Sequence, residues 1–154
     1  MLANRGANGI DGFVSSVLGA AAAAGVPTVG LCGDLTFLHD LGGLLAVRRH
    51  GVRAVFVVLD NDGGGIFDHL PVAAAAGRYE ELFVTPHGLD LAPAVAMYGA
   101  RFVPIDDPAG LAPALHAALG APQTTVLALR IARAASLAAH RAAWTAALDA
   151  LETG

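Results

Sequence analysis

Two polar residues with metal-binding potential follow short apolar segments of this sequence. Asp34 comes directly after Gly33 at the end of the segment TVGLC (residues 28–32), and Asn61 follows the segment RAVFVVL (residues 53–59). A carboxylate, an amide oxygen and a nearby backbone carbonyl are hard oxygen ligands that suit Mg²⁺ beside phosphate and water. The glycine run at positions 63–65 lets the backbone approach a diphosphate without a Cβ in the way. Together these residues predict a metal-bridged diphosphate site.

Each part of this pattern also has a purely structural interpretation. A Gly-Asp pair after a strand is common in α/β proteins, and Asn61 with its glycines fits an ordinary turn. The prediction therefore depends on the combination, because Gly33-Asp34 and Asn61 are separated by one strand–helix–strand unit. Neighbouring parallel strands would place the two side chains side by side.

The elements that must position these residues alternate along the chain. Apolar periodicity and Gly or Pro breaks predict helices at residues 12–24, 37–50, 91–98, 107–119 and 134–151, and buried strands at 28–32, 53–59, 102–105 and 124–131, with a long loop over 60–88. Continuous apolar strands between helices predict an α/β fold, an open parallel sheet flanked by helices on both faces. Ligands bind such sheets beyond the carboxyl ends of the strands.

Composition narrows the class of protein. At 154 residues, with 55% hydrophobic and 14% charged residues, the chain is expected to fold as one domain over residues 1–154. The net charge of −4 offers no basic surface for nucleic acid. The apolar stretches are too short for a membrane span. A start without a secretory pattern and a single Cys32 predict a cytoplasmic protein.

Several other polar residues have structural interpretations. His39 and Asp40 fall early in the predicted helix 37–50, where a helix-start role is favoured over substrate binding. His87 is expected to be a surface or hydrogen-bonding residue of the loop. Structural roles are predicted elsewhere as well: core packing for Cys32, ion pairs for Arg130 and Arg133, and anchoring of the terminal helix to the sheet for Trp144.

Four segments, in this order, resemble a known enzyme family. They are NRGANGIDG (residues 4–12), GDLTFLHD (33–40), NDGGGIF (61–67) and TPHGLD (85–90). This series is similar to the C-terminal diphosphate-binding domain of thiamine-diphosphate (ThDP) enzymes, and most closely to the MenD family of 2-succinyl-5-enolpyruvyl-6-hydroxy-3-cyclohexene-1-carboxylate (SEPHCHC) synthases. Beyond Asp90 only the strand and helix pattern supports the resemblance.

The resemblance implies roles for particular residues. Mg²⁺ would be bound by the Asp34 carboxylate, the Asn61 side chain and the Gly63 carbonyl. The diphosphate would be surrounded by Gly33, Asp34, Leu35, Thr36, Asn61, Gly63, Gly64 and Ile66. Arg5 would contact a substrate carboxylate, and Ile66 and Phe67 would line the reaction pocket. The family commonly has two asparagines where this chain has Asp60-Asn61, and the effect of Asp60 is left open.

The resemblance also implies an activity. ThDP and Mg²⁺ would serve a transferase that decarboxylates 2-oxoglutarate and adds the succinyl unit to isochorismate in menaquinone biosynthesis. The family carries its activating glutamate on an N-terminal pyrimidine-binding domain of a partner subunit, so no catalytic residue is assigned within this chain. The isolated chain is expected to bind Mg²⁺–ThDP weakly without turnover, and the complete enzyme to be a homo-oligomer.

Two alternatives stay open from the sequence. One is the diphosphate-binding domain of another ThDP enzyme, of the acetolactate synthase or 2-oxoacid decarboxylase type, which shares the metal motif. The other is a non-catalytic interaction module that retains the fold.

Overall fold

A computed structural model of the chain describes residues 1–4, 9–74 and 77–152. These residues form two compact units. The described residues within Met1–Asp60 and Gly88–Arg130 form the first, and those within Asn61–His87 and Ile131–Gly154 form the second. None of the helices in the described part of the chain is long and apolar enough to cross a membrane.

The first unit is built on a four-stranded parallel sheet. Its strands are β1 (Thr28–Gly33), β2 (Ala54–Asp60), β3 (Arg101–Ile105) and β4 (Thr125–Arg130). They lie in the order β1-β2-β4-β3, and every neighbouring pair is parallel. β2 and β4 occupy the centre and are almost entirely buried, as their continuous apolar sequence requires. The predicted parallel α/β sheet is confirmed.

The described residues of this unit form five α-helices beside the sheet. They are α1 (Phe13–Ala24), α2 (Asp34–His39), α3 (Leu45–His50), α4 (Leu91–Met97) and α5 (Leu111–Gly120). The prediction of one helix over residues 37–50 was wrong, because α2 begins earlier and a 3₁₀ turn at Leu41–Leu44 separates it from α3. A Cβ on Gly43 would lie 2.7 Å from Ser15 Oγ, so the break lets the backbone pack closely against α1.

Asp40 does not start a helix as expected. It is the C-terminal cap residue of α2, and its carboxylate instead accepts hydrogen bonds from α1, from Ser15 N–H at 2.7 Å and from Ser15 Oγ at 3.2 Å. Gly12 precedes α1 and has no side chain to cap it, so Asp40 satisfies one of the helix's unpaired N–H groups from a distant part of the sequence. His39 is the exposed last residue of α2.

The core of the first unit lies where the helices cover the sheet. Phe37 of α2 and Phe56 of β2 are fully buried and meet edge to face, with ring centroids 5.8 Å apart. Cys32 belongs to the same core, as predicted. Burial, and to a smaller extent the negative charge of Asp34, raises the pKa of the Cys32 thiol to about 12. The thiol is therefore a neutral packing group.

A buried threonine joins the start of β2 to β4. Thr124 is 1% exposed, and its hydroxyl accepts a hydrogen bond from Ala54 N–H at 3.1 Å and donates one to the Val52 carbonyl at 2.9 Å. The next residue, Thr125, is equally buried, but its hydroxyl makes one longer bond, 3.4 Å, to the Gln123 carbonyl. Thr124 therefore satisfies two backbone groups that would otherwise lack a partner here.

The two edges of the sheet differ. On β1, Val29 and Leu31 are 44% and 63% exposed. On β3, Pro104 has no backbone N–H to donate. A strand tolerates a proline at the edge of a sheet but not in its middle.

The second unit consists of short turns and one long helix. The predicted long loop contains 3₁₀ turns at Gly65–His69 and Pro71–Ala74 and a π turn at Glu80–Val84, and α6 spans Arg133–Glu152. No residue of α6 is buried, and Trp144 is 69% exposed. The prediction that Trp144 anchors this helix by burial was wrong.

Candidate functional site

In the first unit, two acidic side chains stand at the carboxyl ends of adjacent strands. β1 and β2 are paired so that Gly33 lies opposite Leu59, and the next residues are Asp34 and Asp60. Asp34 is 2% exposed and Asp60 is 8% exposed. One carboxylate oxygen of each lies within 4.8 Å of the other. Two acids this close in a buried place offer hard oxygen ligands for a divalent cation.

Asp34 enters α2 directly from β1. Gly33 is still extended, at φ −82° and ψ 167°, and Asp34 is the first helical residue. Its Oδ1 accepts a hydrogen bond from Leu35 N–H at 2.7 Å, which fixes the carboxylate against the first turn. Leu35 and Thr36 follow on the same turn and are half-buried. The structure thus brings together Gly33, Asp34, Leu35 and Thr36 of the predicted set.

The role of Asp60, which the sequence alone leaves open, becomes definite from the strand register. Extension of the β1–β2 register puts Asp60, rather than Asn61, opposite Asp34. Asp60 also pairs with Arg130 at the end of β4, with Nη1 and Oδ2 3.7 Å apart. Arg130 thus confirms its predicted ion pair and partly offsets the negative charge of the two acids. No single segment of the sequence specifies this register, so Asp60 is identified only when the pairing of β1 with β2 is known.

In the second unit, Asn61 carries an unusual acceptor. Its Oδ1 is buried and has no hydrogen-bond partner among the described residues. Leaving a buried carbonyl oxygen unpaired costs roughly 1–3 kcal/mol, so such an atom calls for an explanation. A bound cation would supply the missing partner, and an amide oxygen is a suitable Mg²⁺ ligand. Asn61 therefore fits the role that the resemblance implied.

The glycine run has a packing reason of its own. A Cβ on Gly63 would lie 2.3 Å from the Val84 carbonyl oxygen, and a Cβ on Gly64 would lie 2.6 Å from that of Phe83. Gly63 also has φ +132°, which side-chain-bearing residues rarely adopt. Gly64 N–H donates to the Val84 carbonyl at 2.7 Å. Close approach of the chain to itself, as well as to any ligand, requires these glycines.

Ile66 and Phe67 lie on the turn that follows the glycines. Ile66 is 71% exposed, which is costly for an isoleucine unless a ligand or another part of the protein covers it. Phe67 is half-buried and meets Phe83 edge to face, with ring centroids 5.7 Å apart. Phe83 in turn stacks on Tyr79 at 5.9 Å. An aromatic cluster therefore holds one of the two residues expected to line the reaction pocket.

His87 is a hydrogen-bonding residue, but it is not at the surface. Only 10% of its side chain is exposed, and Nδ1 lies 3.6 Å from Asp62 Oδ1. The same Asp62 oxygen accepts a hydrogen bond from His87 N–H at 3.1 Å. Asp62 has a left-handed backbone, with φ 62°. Its contact with His87 closes the turn that holds the glycine run.

An arginine for which the sequence predicts only an unspecified ion pair joins two turns of the second unit. Arg133, at the start of α6, contacts Asp68 and Glu80. The hydrogen bonds that Arg133 donates to Glu80 and, to a smaller extent, to Asp68 raise the pKa of Arg133, and the same hydrogen bonds lower the pKa of both carboxyls. Beside it is a cavity of about 410 Å³ lined in part by Asn61, Ile66 and Trp144. Asp68 and Glu80 are far from Arg133 in the sequence, so no local sequence pattern indicates these contacts.

The predicted set is divided between the two units. Gly33, Asp34, Leu35 and Thr36 belong to the first, whereas Asn61, Gly63, Gly64, Ile66 and Phe67 belong to the second. Arg5, the predicted substrate-binding arginine, lies outside the described residues.

Sequence comparison identifies the family. The family model for the C-terminal TPP-binding domain of thiamine pyrophosphate enzymes matches residues 4–129. The chain is 49% identical over 129 residues to the SEPHCHC synthase of Roseiflexus castenholzii, covering 83% of this chain and 22% of the relative. It is 47% identical to the same synthase of Geobacillus kaustophilus, over 94% of this chain and 25% of the relative. The chain thus spans about a quarter of the length of these relatives.

Comparison with solved structures agrees on the fold. Benzoylformate decarboxylase from Polynucleobacter necessarius superposes with a TM-score of 0.66 at 22% identity, over 81% of this chain and 23% of that one. The 4-hydroxybenzoylformate decarboxylase of Rhodococcus jostii gives 0.66 and 22%, over 76% of this chain and 22% of that one. Because the family model matches most of its residues, the chain belongs to the thiamine pyrophosphate enzyme family, as a C-terminal TPP-binding domain whose cofactor is thiamine diphosphate with Mg²⁺ as its usual partner ion.

Proposed function

We propose that this chain is the diphosphate-binding part of a SEPHCHC synthase, a ThDP-dependent transferase of menaquinone biosynthesis. Its substrates would be 2-oxoglutarate, which loses carbon dioxide, and isochorismate, which accepts the succinyl unit. The observation that carries the proposal is sequence identity of 45–49% to several synthases of that name, in one case over 98% of this chain. A cytoplasmic location is part of the proposal.

The metal site is proposed from the donor atoms. Asp34 contributes a carboxylate, Asn61 the buried Oδ1 that has no partner among the described residues, and Gly63 its backbone carbonyl. All three are hard oxygen donors, and Mg²⁺ takes few of these because phosphate and water complete its shell. Gly33, Leu35, Thr36, Gly64 and Ile66 would surround the diphosphate. The ion would anchor the cofactor rather than act on the reacting carbon.

The substrate contacts follow the same logic. When bound, thiamine diphosphate supplies the electron sink for decarboxylation of a 2-oxoacid. The chain's own residues would bind, orient and shield the substrate. Arg5 would pair with a substrate carboxylate through its planar guanidinium, and Ile66 and Phe67 would form an apolar wall that excludes water. The high exposure of Ile66 is in keeping with that role.

A second polypeptide segment is also part of the proposal. The relatives are several times longer than this chain, which spans 22–26% of them. We propose that the glutamate that activates the cofactor lies on an N-terminal pyrimidine-binding domain of a partner subunit, and we expect the complete enzyme to be a homo-oligomer. Without that domain, the 154 residues of this chain would bind the cofactor weakly and show no turnover.

Calorimetric titration of ThDP with and without Mg²⁺ tests the cofactor site. Binding is expected to require Mg²⁺ and to disappear in Asp34→Asn, which removes the charge but keeps the shape of the side chain. Asp60→Asn is the informative control, because it restores the pair of asparagines common in the family and should still bind. Asp106→Asn, at an exposed acid of the first unit, controls for net charge. Equal binding by wild type and Asp34→Asn would contradict the assignment.

A related ThDP enzyme of the decarboxylase type is the rival function. The structural likeness to the two decarboxylases, at 22% identity, concerns the fold alone. Adding the N-terminal part of a SEPHCHC synthase and comparing 2-oxoglutarate with pyruvate and benzoylformate would separate the two functions. Preference for pyruvate or benzoylformate would favour the rival, and failure of every donor despite Mg²⁺–ThDP binding would favour a non-catalytic module.

A further inference from the structure

The geometry points to Arg133 as a positioning residue that fixes the segment carrying Ile66 and Phe67. We call residues 65–74 and 77–84 the loop segment. Arg133 joins its two ends, because it binds Asp68 on the turn Gly65–His69 and Glu80 on the turn Glu80–Val84. The inference rests on the proposed function in one respect, that Ile66 and Phe67 line the substrate pocket.

Four hydrogen bonds make this connection. Arg133 Nε donates to Asp68 Oδ2 at 3.0 Å and Nη2 donates to Asp68 Oδ1 at 2.9 Å. Nη1 donates to Glu80 Oε2 at 2.9 Å and Nη2 to Glu80 Oε1 at 3.0 Å. One planar guanidinium therefore makes two bidentate contacts, an arrangement that fixes orientation as well as distance.

The contact of Arg133 with Asp68 is stronger than its contact with Glu80, because Asp68 is more buried. The Arg133 and Asp68 side chains are 23% and 12% exposed, whereas that of Glu80 is 62% exposed. Solvent and salt weaken an exposed ion pair far more than a sheltered one. Asp68 is therefore the principal partner, and Glu80 holds the far end of the loop segment more loosely.

The Asp68 contact extends to the pocket residues through the aromatic cluster. Tyr79 donates its hydroxyl to Asp68 Oδ1 at 2.7 Å, and its ring stacks on Phe83, which meets Phe67 edge to face. Asp68 also follows Phe67 directly on the same turn. Phe67 is thus held from both sides, by the backbone of its own turn and by the rings that Asp68 positions.

A lysine at position 133 would keep the charge but lose the connection. An ammonium group is a point charge that cannot form two bidentate contacts with carboxylates on different turns. Replacement by lysine therefore separates the effect of the planar guanidinium group from the effect of its charge. If charge alone mattered, lysine would serve as well as arginine.

Hydrogen exchange of backbone amides in this chain tests the inference without any cofactor. Arg133→Gln and Arg133→Lys are both expected to speed exchange in the loop segment by about tenfold, while exchange in β2 stays within about twofold of wild type. Arg141→Gln is the matched control, since Arg141 lies on the same helix and forms no ion pair with the described residues. It should leave both regions unchanged.

Two results would overturn the inference. One is wild-type protection of the loop segment in Arg133→Lys, which would mean that charge suffices. The other is faster exchange in β2 to the same extent as in the loop segment, which would indicate general destabilisation. Titration of the wild-type chain and of Asp34→Asn with Mg²⁺ and ThDP reports separately on the proposed function, because Asp34→Asn should lose cofactor binding while amide exchange in the loop segment stays at the wild-type rate. A chain that shows the exchange effect but binds no ThDP would refute the function and leave the connection standing.

Discussion

Replacement of Thr124 by valine should destabilise the first unit more than its small change in shape suggests. The valine keeps the volume but removes the hydroxyl that serves Ala54 N–H and the Val52 carbonyl. Each buried group left without a partner costs about 1–3 kcal/mol. Ala54 is 2% exposed, so water cannot readily replace the lost acceptor. The expected loss is about 2–4 kcal/mol in the free energy of unfolding.

Thr125→Val is the matched control for this substitution. Thr125 is also 1% exposed and begins the strand that Thr124 precedes, but its hydroxyl makes only one bond of 3.4 Å. Its removal should cost less than about 1 kcal/mol, because a long hydrogen bond contributes little and valine suits a buried strand. Thr124→Ser keeps the hydroxyl and loses one methyl group, so it should cost about 1 kcal/mol.

Urea unfolding followed by far-ultraviolet circular dichroism measures the three variants. With a slope of about 2 kcal/mol per molar urea, a loss of 2–4 kcal/mol lowers the midpoint by roughly 1–2 M. The slope should stay unchanged if the valine alters stability without altering the surface that unfolding exposes. Equal midpoints for Thr124→Val and Thr125→Val would refute the reasoning, because both lose a hydroxyl and only Thr124 serves two backbone groups.

Three further predictions concern the site and its surroundings. Gly63→Ala should unfold the second unit at lower temperature, since its Cβ would meet the Val84 carbonyl oxygen at 2.3 Å; an unchanged melting curve would contradict this. The Cys32 thiol, with its pKa raised to about 12, should react with a thiol reagent at pH 8 only after denaturation. Rapid labelling of the native chain would disprove its burial. Arg133 lowers the pKa of Asp68, so their contact is fully present above the ordinary value of 3.8 and is lost as the pH falls below it toward the folded value. Amide exchange in the loop segment, corrected for the intrinsic rate, should therefore rise only in that acidic range.

Sequence patterns predicted the sheet because its strands are continuous apolar runs. Val55 to Val58 of β2 are all buried. The turn-forming residues that end this strand follow it directly in the sequence. The helix predicted over 37–50 was wrong because its interruption depends on contact between Gly43 and Ser15, which periodicity does not register. Local patterns thus identified elements well and the packing between them poorly.

In the candidate site, too, local sequence patterns identified single residues but not the contacts between distant ones. Asp34 was identifiable because a polar residue after an apolar strand stands at the sheet's carboxyl edge, and its burial to 2% exposure agrees. The place of Asp60 opposite Asp34 required the strand register, which no single segment specifies. The role of Arg133 required contacts with Asp68 and Glu80, residues whose distance along the chain hides their proximity.

Because of Pro104, the two edges of the sheet differ in their ability to pair with a further strand. A strand added outside β3 would find one backbone donor missing, whereas β1 has no proline within its span and exposes Val29 and Leu31. Any further strand, from the rest of a longer polypeptide or from another molecule, would therefore be accepted beside β1. Leu31→Lys, which puts a charge on the exposed part of this edge, should accordingly improve the solubility of the purified chain at high concentration, whereas Met97→Lys, at a similarly exposed position on α4, should not.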